Sequence, residues 1–512
     1  MRVYRAILHE VLRSFLEAYK LPIFAYQQLH EITMNNLLNY IAGTWQEPSN
    51  GLWLDNPEPA TGEIFSRIPD SGEQDIQMAV ESAKKAFPIW SGMSVEERSR
   101  IMLNIAQGMK DAFDALAEAE SKDQGKPLSL SRVMDIPRAI QNIEFFATEI
   151  IHFASESHGG KGVVNYTVHA PIGIVGCISP WNLPLYLFTW KIAPALATGN
   201  CVIAKPSELT PFTATLFAEI CMKAGLPDGV LNIVHGSGLN AGSAIVAHPE
   251  ITAISFTGGT VTGRHIASIA APMFKKLSLE LGGKNPSIIF ADCDFEETVT
   301  QAVRSAFTNQ GEICLCGSRI LIEESLYEKF RDAFIEKVQQ LKVGDPFEAG
   351  TNIGALVSKA HMEKVMSYIE LAQEEGGTIL CGGNIVSPEG RCKNGWFIEP
   401  TVIEGLTNSC RTNQEEIFGP VVTLQSFSNE EEALLLANGT RYGLAANVWT
   451  QHLGRAHRMA NALEFGIVWV NCWLLRDLRT PFGGMKDSGV GREGGFEVLR
   501  FFTETKNVCV KF

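Results

Sequence analysis

Three short segments of the sequence carry side chains that could perform covalent chemistry, and the first of them contains a thiol. Cys314 lies just after a glycine-containing turn, in the run NQGEICLC at 309–316. A backbone N–H beside a thiol in such a turn can stay free to stabilise a developing negative charge. Free cysteines are more often small buried hydrophobes, so Cys314 and Cys316 could equally be packing residues. The C-x-C spacing is tighter than the usual zinc pairs, and we predict no metal site.

Two other polar side chains stand next to apolar runs. Glu280 lies within LEL at 279–281, and carboxylates are rarely buried without a partner. It could instead be a surface or helix-capping residue. Asn182 ends the segment SPWN at 179–182, directly after a predicted strand, where asparagine is also common in turns. None of the three segments identifies an active site by itself.

The elements that would position these residues are short apolar runs that alternate with helical segments from about residue 171 onward. Strands that alternate with helices favour a parallel, doubly wound sheet, so we predict an α/β fold. The predicted strands are 173–178, 201–204, 231–234 and 251–256, and the predicted helices between them are 185–198, 211–224 and 240–247.

A second alternating region, from about 287 to 482, predicts a second α/β domain with strands at 287–290 and 320–322 and a helix at 325–341. Before the first sheet, apolar residues at three- and four-residue spacing predict helices over 72–87, 94–120 and 136–151. By contrast, 163–170 and 507–512 alternate like exposed antiparallel strands. These two strands could pair within the chain or with another subunit.

The composition excludes several classes of function. The 512 residues are 45% hydrophobic and 20% charged, which is typical of a soluble globular protein. The net charge of −14 disfavours nucleic acid and anionic membranes as partners. The most apolar stretch, 171–188, is interrupted by three prolines, so we predict no membrane span. The 11 cysteines lack disulfide-type spacing, which predicts reduced thiols and a cytoplasmic location.

Residues 1–33 are an N-terminal extension of unknown role. Its three arginines, at roughly helical spacing, could indicate a targeting peptide. Its three glutamates do not suit one, because transit peptides are poor in acidic residues. A surface helix and an over-long start, with Met34 as the first residue, are the alternatives.

Taken in order, seven segments resemble the aldehyde dehydrogenase family over almost all of residues 35–512. They are PWN at 180–182, AKPSE at 204–208, FTGG at 256–259, LELGGKNP at 279–286, NQGEIC at 309–314, EEIFGP at 415–420 and PFGGMKDSG at 481–489. The resemblance implies a Rossmann-type NAD-binding domain, a catalytic α/β domain and a β arm that forms a homodimer or homotetramer. The implied bounds are 34–150 and 171–282 for the NAD-binding domain, 283–482 for the catalytic domain, and 151–170 and 483–512 for the arm and C-terminal segment.

For the catalytic residues, the resemblance implies a cysteine mechanism. The Cys314 thiolate would attack the aldehyde carbonyl and form a thiohemiacetal. The Asn182 amide and the Cys314 N–H would stabilise the oxyanion. Loss of hydride would leave a thioester, which Glu280 would hydrolyse by activating water. A free cysteine has a pKa of about 8.5, so the site must lower that pKa or supply a base.

The resemblance also assigns the cofactor NAD. Its pyrophosphate is expected beside the loop 257–263, ahead of a helix whose N-terminus favours anions. Many relatives have serine at the position of Gly259, so one contact to phosphate is expected to be absent. Lys205 and Glu208 match the positions that hold the adenosine ribose, and Glu208 would repel the extra phosphate of NADP. The remaining expected cofactor-binding residues are Trp181, Gly258, Gly263, Glu416 and Phe418, of which the last two place the nicotinamide half.

Several segments look like the branch of the family that oxidises muconate semialdehydes. They are SKDQGK at 121–126, MDIPR at 134–138, ISPWNLPLY at 178–186, NQGEICLC at 309–316 and NCWLLR at 471–476. The branch shares Glu312, where many other members carry glutamine. This acid would raise the pKa of the Cys314 thiol unless its side chain points away. The implied substrate is 2-aminomuconate semialdehyde, an intermediate of tryptophan (kynurenine) catabolism, and the alternatives are retinal and hydroxymuconate semialdehyde.

A muconate semialdehyde carries a carboxylate at the end opposite the aldehyde, so its site needs a cation about one substrate length from the nucleophile. Arg138 and Arg476 lie in branch-matching segments and could bind this carboxylate through paired hydrogen bonds. Both could also be plain surface charges, and Arg479 is a less favoured third candidate. A binding or structural protein that kept the fold is disfavoured, because all three catalytic positions are intact.

Overall fold

The computed structural model describes residues 36–512, so the predicted extension at 1–33 lies outside the described residues. The largest sheet of the structure has five parallel strands at its centre. The middle strand of these five is the one that comes first in the chain. This is the doubly wound arrangement, and the predicted α/β fold is confirmed. Across the sheet the five are Leu231–Ile233, Cys201–Lys205, Ile174–Ile178, Ile251–Thr257 and Lys276–Glu280. Antiparallel strands extend both edges, Asn39–Ile41 and Thr44–Gln46 on one side and Gly489–Val490 on the other.

The helices that pack against this sheet form the largest apolar core. The α-helices are Glu73–Gly92, Val95–Asp111, Phe113–Gln124, Leu128–Leu130, Ile136–Glu149, Pro184–Ala197, Phe212–Lys223, Ser243–Ala247 and Thr260–Ala270. π-Helical turns occupy Ser131–Asp135 and Gly238–Gly242, and 3₁₀ turns occupy Ile150–His152 and Ala271–Met273.

The prediction of one helix over 94–120 is wrong. Ala112 leaves the helical region, with φ −99° and ψ 16°, and it ends one helix while starting the next. The apolar spacing continues across Ala112, so periodicity alone cannot reveal a break at a single residue.

The second sheet has seven strands, of which six are parallel. In spatial order they are Thr378–Cys381 (antiparallel, at the edge), Thr401–Glu404, Val421–Phe427, Arg319–Glu323, Pro286–Ile289, Ala445–Trp449 and Ile467–Val470. The α-helices of this region are Phe295–Phe307, Tyr327–Gln339, Lys359–Glu374, Arg411–Gln414, Glu430–Asn438 and Leu453–Ala462, and the 3₁₀ turns are Thr308–Gly311, Glu324–Leu326 and Gly390–Cys392. Three two-stranded ribbons pair Trp53–Pro57 with Ile64–Pro69, Ile385–Val386 with Phe397–Ile398, and Tyr442–Gly443 with Met485–Lys486.

A separate three-stranded sheet contains the two strands predicted at 163–170 and 507–512. Thr503–Lys511 pairs antiparallel with Val163–Pro171 along its whole length, and Ser157–Gly160 pairs with the other edge of Val163–Pro171. The two predicted strands therefore pair within the chain, and helix Gly495–Phe501 leads into the last of them. None of the described helices is long and apolar enough to cross a membrane. The division into domains at the predicted residues stays a prediction.

Candidate active site

Two of the three predicted catalytic residues approach one another because they follow the carboxyl ends of nearby strands. Strand Ile174–Ile178 leads into the turn that carries Asn182, and Lys276–Glu280 ends at Glu280. Strand Ile251–Thr257 lies between them and pairs with both in parallel. In doubly wound sheets, ligands bind in the crevice outside the carboxyl ends, where the strand order reverses.

Cys314 reaches the same place on a tightly turned loop from the second sheet. Residues 309–311 all have left-handed backbone angles, and a Cβ on Gly311 would lie 2.2 Å from a backbone carbonyl oxygen. The Asn285 amide donates to the carbonyl oxygens of Cys314, at 2.7 Å, and Cys316, at 3.0 Å. No described residue accepts a hydrogen bond from the Cys314 N–H. This donor is therefore available to an oxyanion.

Cys314 lies where two cavities meet. Thr257, Leu281 and Cys314 belong to the walls of both, so a ligand in either cavity can reach the thiol. The larger cavity, of about 250 Å³, is also lined by Pro180, Trp181, Asn182, Gly258, Gly259, Gly282, His361, Lys364, Glu416 and Phe418. The narrow cavity, of about 30 Å³, is also lined by Met134, Leu183, Tyr186, Leu187, Glu280, Ile313, Leu315, Leu444, Leu474, Arg476, Phe482 and Glu493.

Glu280 is buried, and neither of its carboxylate oxygens has a hydrogen-bond partner among the described residues. Burial raises the pKa of Glu280 well above its usual value, and the negative charge of Glu493 raises it further. Lys191 opposes this shift and forms an ion pair with Glu493 at 2.9 Å. A carboxyl group with free oxygens and a raised pKa suits the transfer of a proton from water.

The environment of Cys314 favours the neutral form of its thiol. Burial raises the pKa of the thiol, and the negative charges of Glu416 and Glu280 raise it further. The side chain of Glu312 accepts hydrogen bonds from the Gln124 amide at 2.7 Å and from the Val357 N–H at 3.3 Å. These bonds turn the Glu312 carboxyl group away, and it is not among the groups that shift the pKa of Cys314.

Asn182 is 3% exposed and is held from both its backbone and its side chain. Its side-chain amide donates to the carbonyl oxygen of Glu312 at 2.8 Å. Its backbone oxygen accepts hydrogen bonds from Lys126 Nζ and Asn309 Nδ2, each at 3.0 Å. The Glu312 carbonyl uses one of the two amide protons, so the other is available to a ligand at the cavity that Asn182 lines.

Arg138 and Arg476 converge on the hydroxyl group of Tyr186. Arg476 donates to Tyr186 Oη at 2.9 Å and Arg138 at 3.5 Å. Neither guanidinium forms an ion pair with another described residue. Arg476 lines the narrow cavity, where it lies 4.0 Å from the centre of the Phe482 ring, whereas Arg138 reaches that cavity only through Tyr186. Arg479 is exposed and pairs with Asp477, so it does not belong to the site.

Five of the residues expected to hold the cofactor line the larger cavity. They are Trp181, Gly258, Gly259, Glu416 and Phe418. The Trp181 and Phe418 rings meet edge to face at 5.2 Å. The Glu416 carboxylate accepts a hydrogen bond from the Gly283 N–H at 2.9 Å. A Cβ on Gly282 would lie 2.1 Å from this carboxylate, so a larger residue there would displace the Glu416 side chain.

The other three lie outside the walls of that cavity. Lys205 and Glu208 pair with each other at 3.0 Å, and Lys205 also donates to the Gly236 carbonyl at 2.8 Å. Lys205 is the last residue of the neighbouring strand Cys201–Lys205, and Glu208 follows three residues later. Gly263 packs against the Leu281 side chain. A Cβ at position 263 would lie 2.5 Å from that side chain.

The larger cavity fits a ligand with a phosphate group at the start of helix Thr260–Ala270. This N-terminus is capped by Gly259, which offers no side-chain hydrogen bond. The hydroxyl oxygens of Thr257 and Thr260 are buried without a partner among the described residues. Free N–H groups and unpaired hydroxyl groups at a helix N-terminus form an anion site.

Sequence reasoning missed the residues that surround Glu280 and the two arginines. Lys191 could have been found, because a lysine stands within helix Pro184–Ala197, whose residues are all buried. Tyr186 lies within ISPWNLPLY at 178–186, but nothing in the spacing of these residues shows where its hydroxyl group points. Glu493 lies in a glycine-rich stretch that carries no signal of burial.

Comparison with known proteins identifies the family. The model of the aldehyde dehydrogenase family matches residues 45–508. The chain is 51% identical to the 2-aminomuconic semialdehyde dehydrogenase of Mus musculus, over 93% of this chain and 98% of the relative. It is 44% identical to the 2-hydroxymuconic semialdehyde dehydrogenase of Pseudomonas sp. (strain CF600), over 93% of this chain and 100% of the relative.

Solved structures show the same fold. An NAD⁺ complex of aldehyde dehydrogenase from Bacillus cereus is 38% identical, with a TM-score of 0.91, over 93% of this chain and 97% of that chain. The chain belongs to the aldehyde dehydrogenase family.

Proposed function

We propose that this protein is an NAD-dependent dehydrogenase that oxidises 2-aminomuconate semialdehyde to 2-aminomuconate, a step of tryptophan catabolism. The observation that carries the proposal is the position of Cys314 at the junction of two cavities. One cavity suits a phosphate-bearing cofactor, and the other contains Glu280 and an arginine, Arg476, that forms no ion pair with another described residue. The similarity to 2-aminomuconic semialdehyde dehydrogenases at about half identity supports this substrate.

In this reaction, Cys314 forms the bond to the aldehyde carbon. The raised pKa of Cys314 means that the thiol must first lose its proton to solvent, while Glu280, which lines the same cavity, serves the later hydrolysis step. The Cys314 N–H and the Asn182 amide then donate to the oxyanion of the thiohemiacetal. After oxidation to the thioester, Glu280 takes a proton from the attacking water, and the Cys314 sulfur leaves as the acid is released.

Bound NAD supplies the hydride acceptor for the oxidation step. Trp181, Glu416 and Phe418 would hold its nicotinamide half beside Cys314. The start of helix Thr260–Ala270, with Gly258 and Gly259, would hold the pyrophosphate, and Gly263 lets that helix approach Leu281 closely. Lys205 and Glu208 would bind the adenosine ribose, and the Glu208 carboxylate would repel the additional phosphate of NADP.

The carboxylate of the substrate would bind Arg476 and Tyr186, with Arg138 behind them. Tyr186 Oη accepts hydrogen bonds from both guanidinium groups, which leaves its own proton free to donate to the carboxylate. A long neutral aldehyde such as retinal has no group that would use this arrangement. Hydroxymuconate semialdehyde is the second candidate, because the chain is also 44% identical to enzymes named for it.

The proposal is tested by comparing aldehydes with and without a carboxylate in the wild type and in the variants Arg138→Ala and Arg476→Ala. Arg476→Ala should weaken kcat/KM for the carboxylated aldehyde by about 2–4 kcal/mol, the cost of truncating one member of a buried charge pair. Arg138→Ala should weaken it in the same direction but by less, because Arg138 acts only through Tyr186. Propanal should be affected much less. Equal losses for both aldehydes would contradict the carboxylate site and favour a neutral substrate.

We also propose that the protein is a cytoplasmic homodimer or homotetramer. All 11 cysteines are free thiols, which suits a reducing compartment. The three-stranded sheet carries an exposed apolar face, which a partner subunit would cover.

A further inference from the structure

A buried group of charged residues contacts the backbone of Asn182. The Lys126 side chain is fully buried, and its Nζ donates to Asp135 Oδ1 at 2.7 Å and to the Asn182 carbonyl oxygen at 3.0 Å. Asp135 is also fully buried. Neither Lys126 nor Asp135 lines the cavities that meet at Cys314, so neither can touch a substrate there.

Local backbone features direct both side chains inward. Gly125 ends helix Phe113–Gln124 in the left-handed region, with φ +91°, and a Cβ there would lie 2.6 Å from the Ala355 carbonyl oxygen. Only glycine allows this close turn, which turns Lys126 into the interior. Asp135 ends the π-helical turn Ser131–Asp135. Single π turns inside helices redirect side chains and are frequent at functional sites.

The cost of burying these charges indicates a role other than stabilisation. Taking an ion pair out of water is expensive, and apolar residues of similar volume often give equal or greater stability. A second acid, Glu120, contacts the same group, and burial together with the charge of Asp135 raises the pKa of Glu120 to about 8. Burial raises the pKa of Asp135 as well, and of the two acids it is Asp135 that accepts the short hydrogen bond from Lys126 Nζ.

The same short segment also fixes the acceptor of the Asn182 amide. Gln124, two residues before Lys126, donates to the Glu312 carboxyl group at 2.7 Å. The Glu312 carbonyl oxygen is the group to which the Asn182 amide donates at 2.8 Å. Within residues 124–126, Lys126 therefore holds the Asn182 backbone, and Gln124 holds Glu312, whose carbonyl oxygen accepts from the Asn182 side chain.

We propose that Lys126 is a positioning residue for the Asn182 amide. Its ammonium group, held by Asp135, fixes the Asn182 peptide so that the free amide proton points to the oxyanion formed at Cys314. Lys126 acts only through Asn182, and the inference rests on the proposed role of Asn182 as an oxyanion donor.

The test is a double-mutant cycle between Lys126→Met and Asn182→Ala, followed as the single-turnover rate of NADH formation with propanal. Asn182→Ala should lower the rate about 10²–10³-fold, as removal of an oxyanion donor does. In the wild-type background, Lys126→Met should lower the rate of NADH formation at least about tenfold. In the Asn182→Ala background, the same change should lower that rate by less than about twofold, because the effects of interacting residues are not additive. The KM for NAD and the rate of Cys314 alkylation by iodoacetamide should stay within about twofold of the wild type.

The control is Lys122→Met, on the helix that ends just before Lys126, where the ammonium lies over the Phe65 ring at 4.4 Å and lines neither cavity. It should leave the rate unchanged. If Lys126→Met does not fold, Asp135→Asn removes the charge partner alone and should show the same non-additivity. Equal losses in both backgrounds, or no loss from Lys126→Met, would overturn the inference. No loss from Asn182→Ala would overturn the oxyanion role itself, and the inference with it.

Discussion

The two groups that must lose a proton during the reaction, Cys314 and Glu280, both lie where burial and neighbouring carboxylates raise their pKa values. Each of them acts in its deprotonated form. We therefore expect the rate of thioester hydrolysis to rise with pH, as Glu280 loses its proton. Glu493→Gln removes a negative charge beside Glu280 and should move this pH profile to lower pH. Hydrolysis measured over a pH series checks this, and an unchanged or alkaline-shifted profile would contradict it.

The Tyr186 hydroxyl offers a second prediction at the scale of a single atom. Tyr186→Phe should weaken kcat/KM for a carboxylated aldehyde by about 1.5–3 kcal/mol, the range for a hydrogen bond to a charged group. The phenyl ring remains, so propanal should be used as before. Tyr327→Phe, which removes a hydroxyl that donates to Glu404 at 2.9 Å and lines neither cavity, is the matched control. Equal effects of Tyr186→Phe on both aldehydes would show that the hydroxyl does not contact the carboxylate.

The resemblance to the family predicts one site for Cys314, Glu280 and Asn182, because their motifs follow the family order along the chain, and the three line the two cavities that meet at Cys314. The sequence could not reveal Glu493 or Tyr186. Their roles depend on which side chains converge across 200 or more residues in the fold, as in the hydrogen bond between Tyr186 and Arg476, 290 residues apart. Such convergence leaves no local pattern in the sequence.

Among the elements, the start of helix Thr260–Ala270 makes the most specific prediction. A Cβ on Gly259 would meet no atom within 4 Å, and its φ of −71° suits any residue. Gly259→Ser should therefore fold normally and add one hydroxyl contact to the pyrophosphate, worth about 0.5–1.5 kcal/mol and seen as a lower KM for NAD.

Gly258→Ser is the matched control for that change. A Cβ on Gly258 would lie 2.4 Å from the Phe256 ring, so this variant should lower the melting temperature and impair NAD binding. A higher KM for NAD in Gly259→Ser would show that the phosphate does not lie at this helix start.

The periodicity of apolar residues predicted which segments form helices and which form strands. It did not predict where a helix is interrupted. The strands predicted at 173–178 and 251–256 lie at Ile174–Ile178 and Ile251–Thr257. The break at Ala112 escaped prediction because the apolar spacing continues across it, whereas the π turn Ser131–Asp135 lies before the helix predicted at 136–151, where no element was predicted.

At the scale of the whole molecule, the three-stranded sheet is the surface that most needs a partner. Val508 pairs opposite Tyr166 and Val510 opposite Val164, which places four apolar side chains on one face. We expect the intact protein to have a mass in solution that is a multiple of 56.1 kDa. Val510→Lys should lower that mass, as measured by light scattering. A wild type that is monomeric at all concentrations would contradict the oligomer.

The central claim is that Cys314 carries the acyl intermediate and Glu280 releases it. The direct test is to mix Glu280→Gln with NAD and an aldehyde, and to determine the mass of the intact chain and of its peptides. We expect one burst of NADH and an acyl adduct on the peptide that contains Cys314, whereas Cys314→Ala should form neither. An adduct on another cysteine, or substantial turnover by Cys314→Ala, would contradict the account.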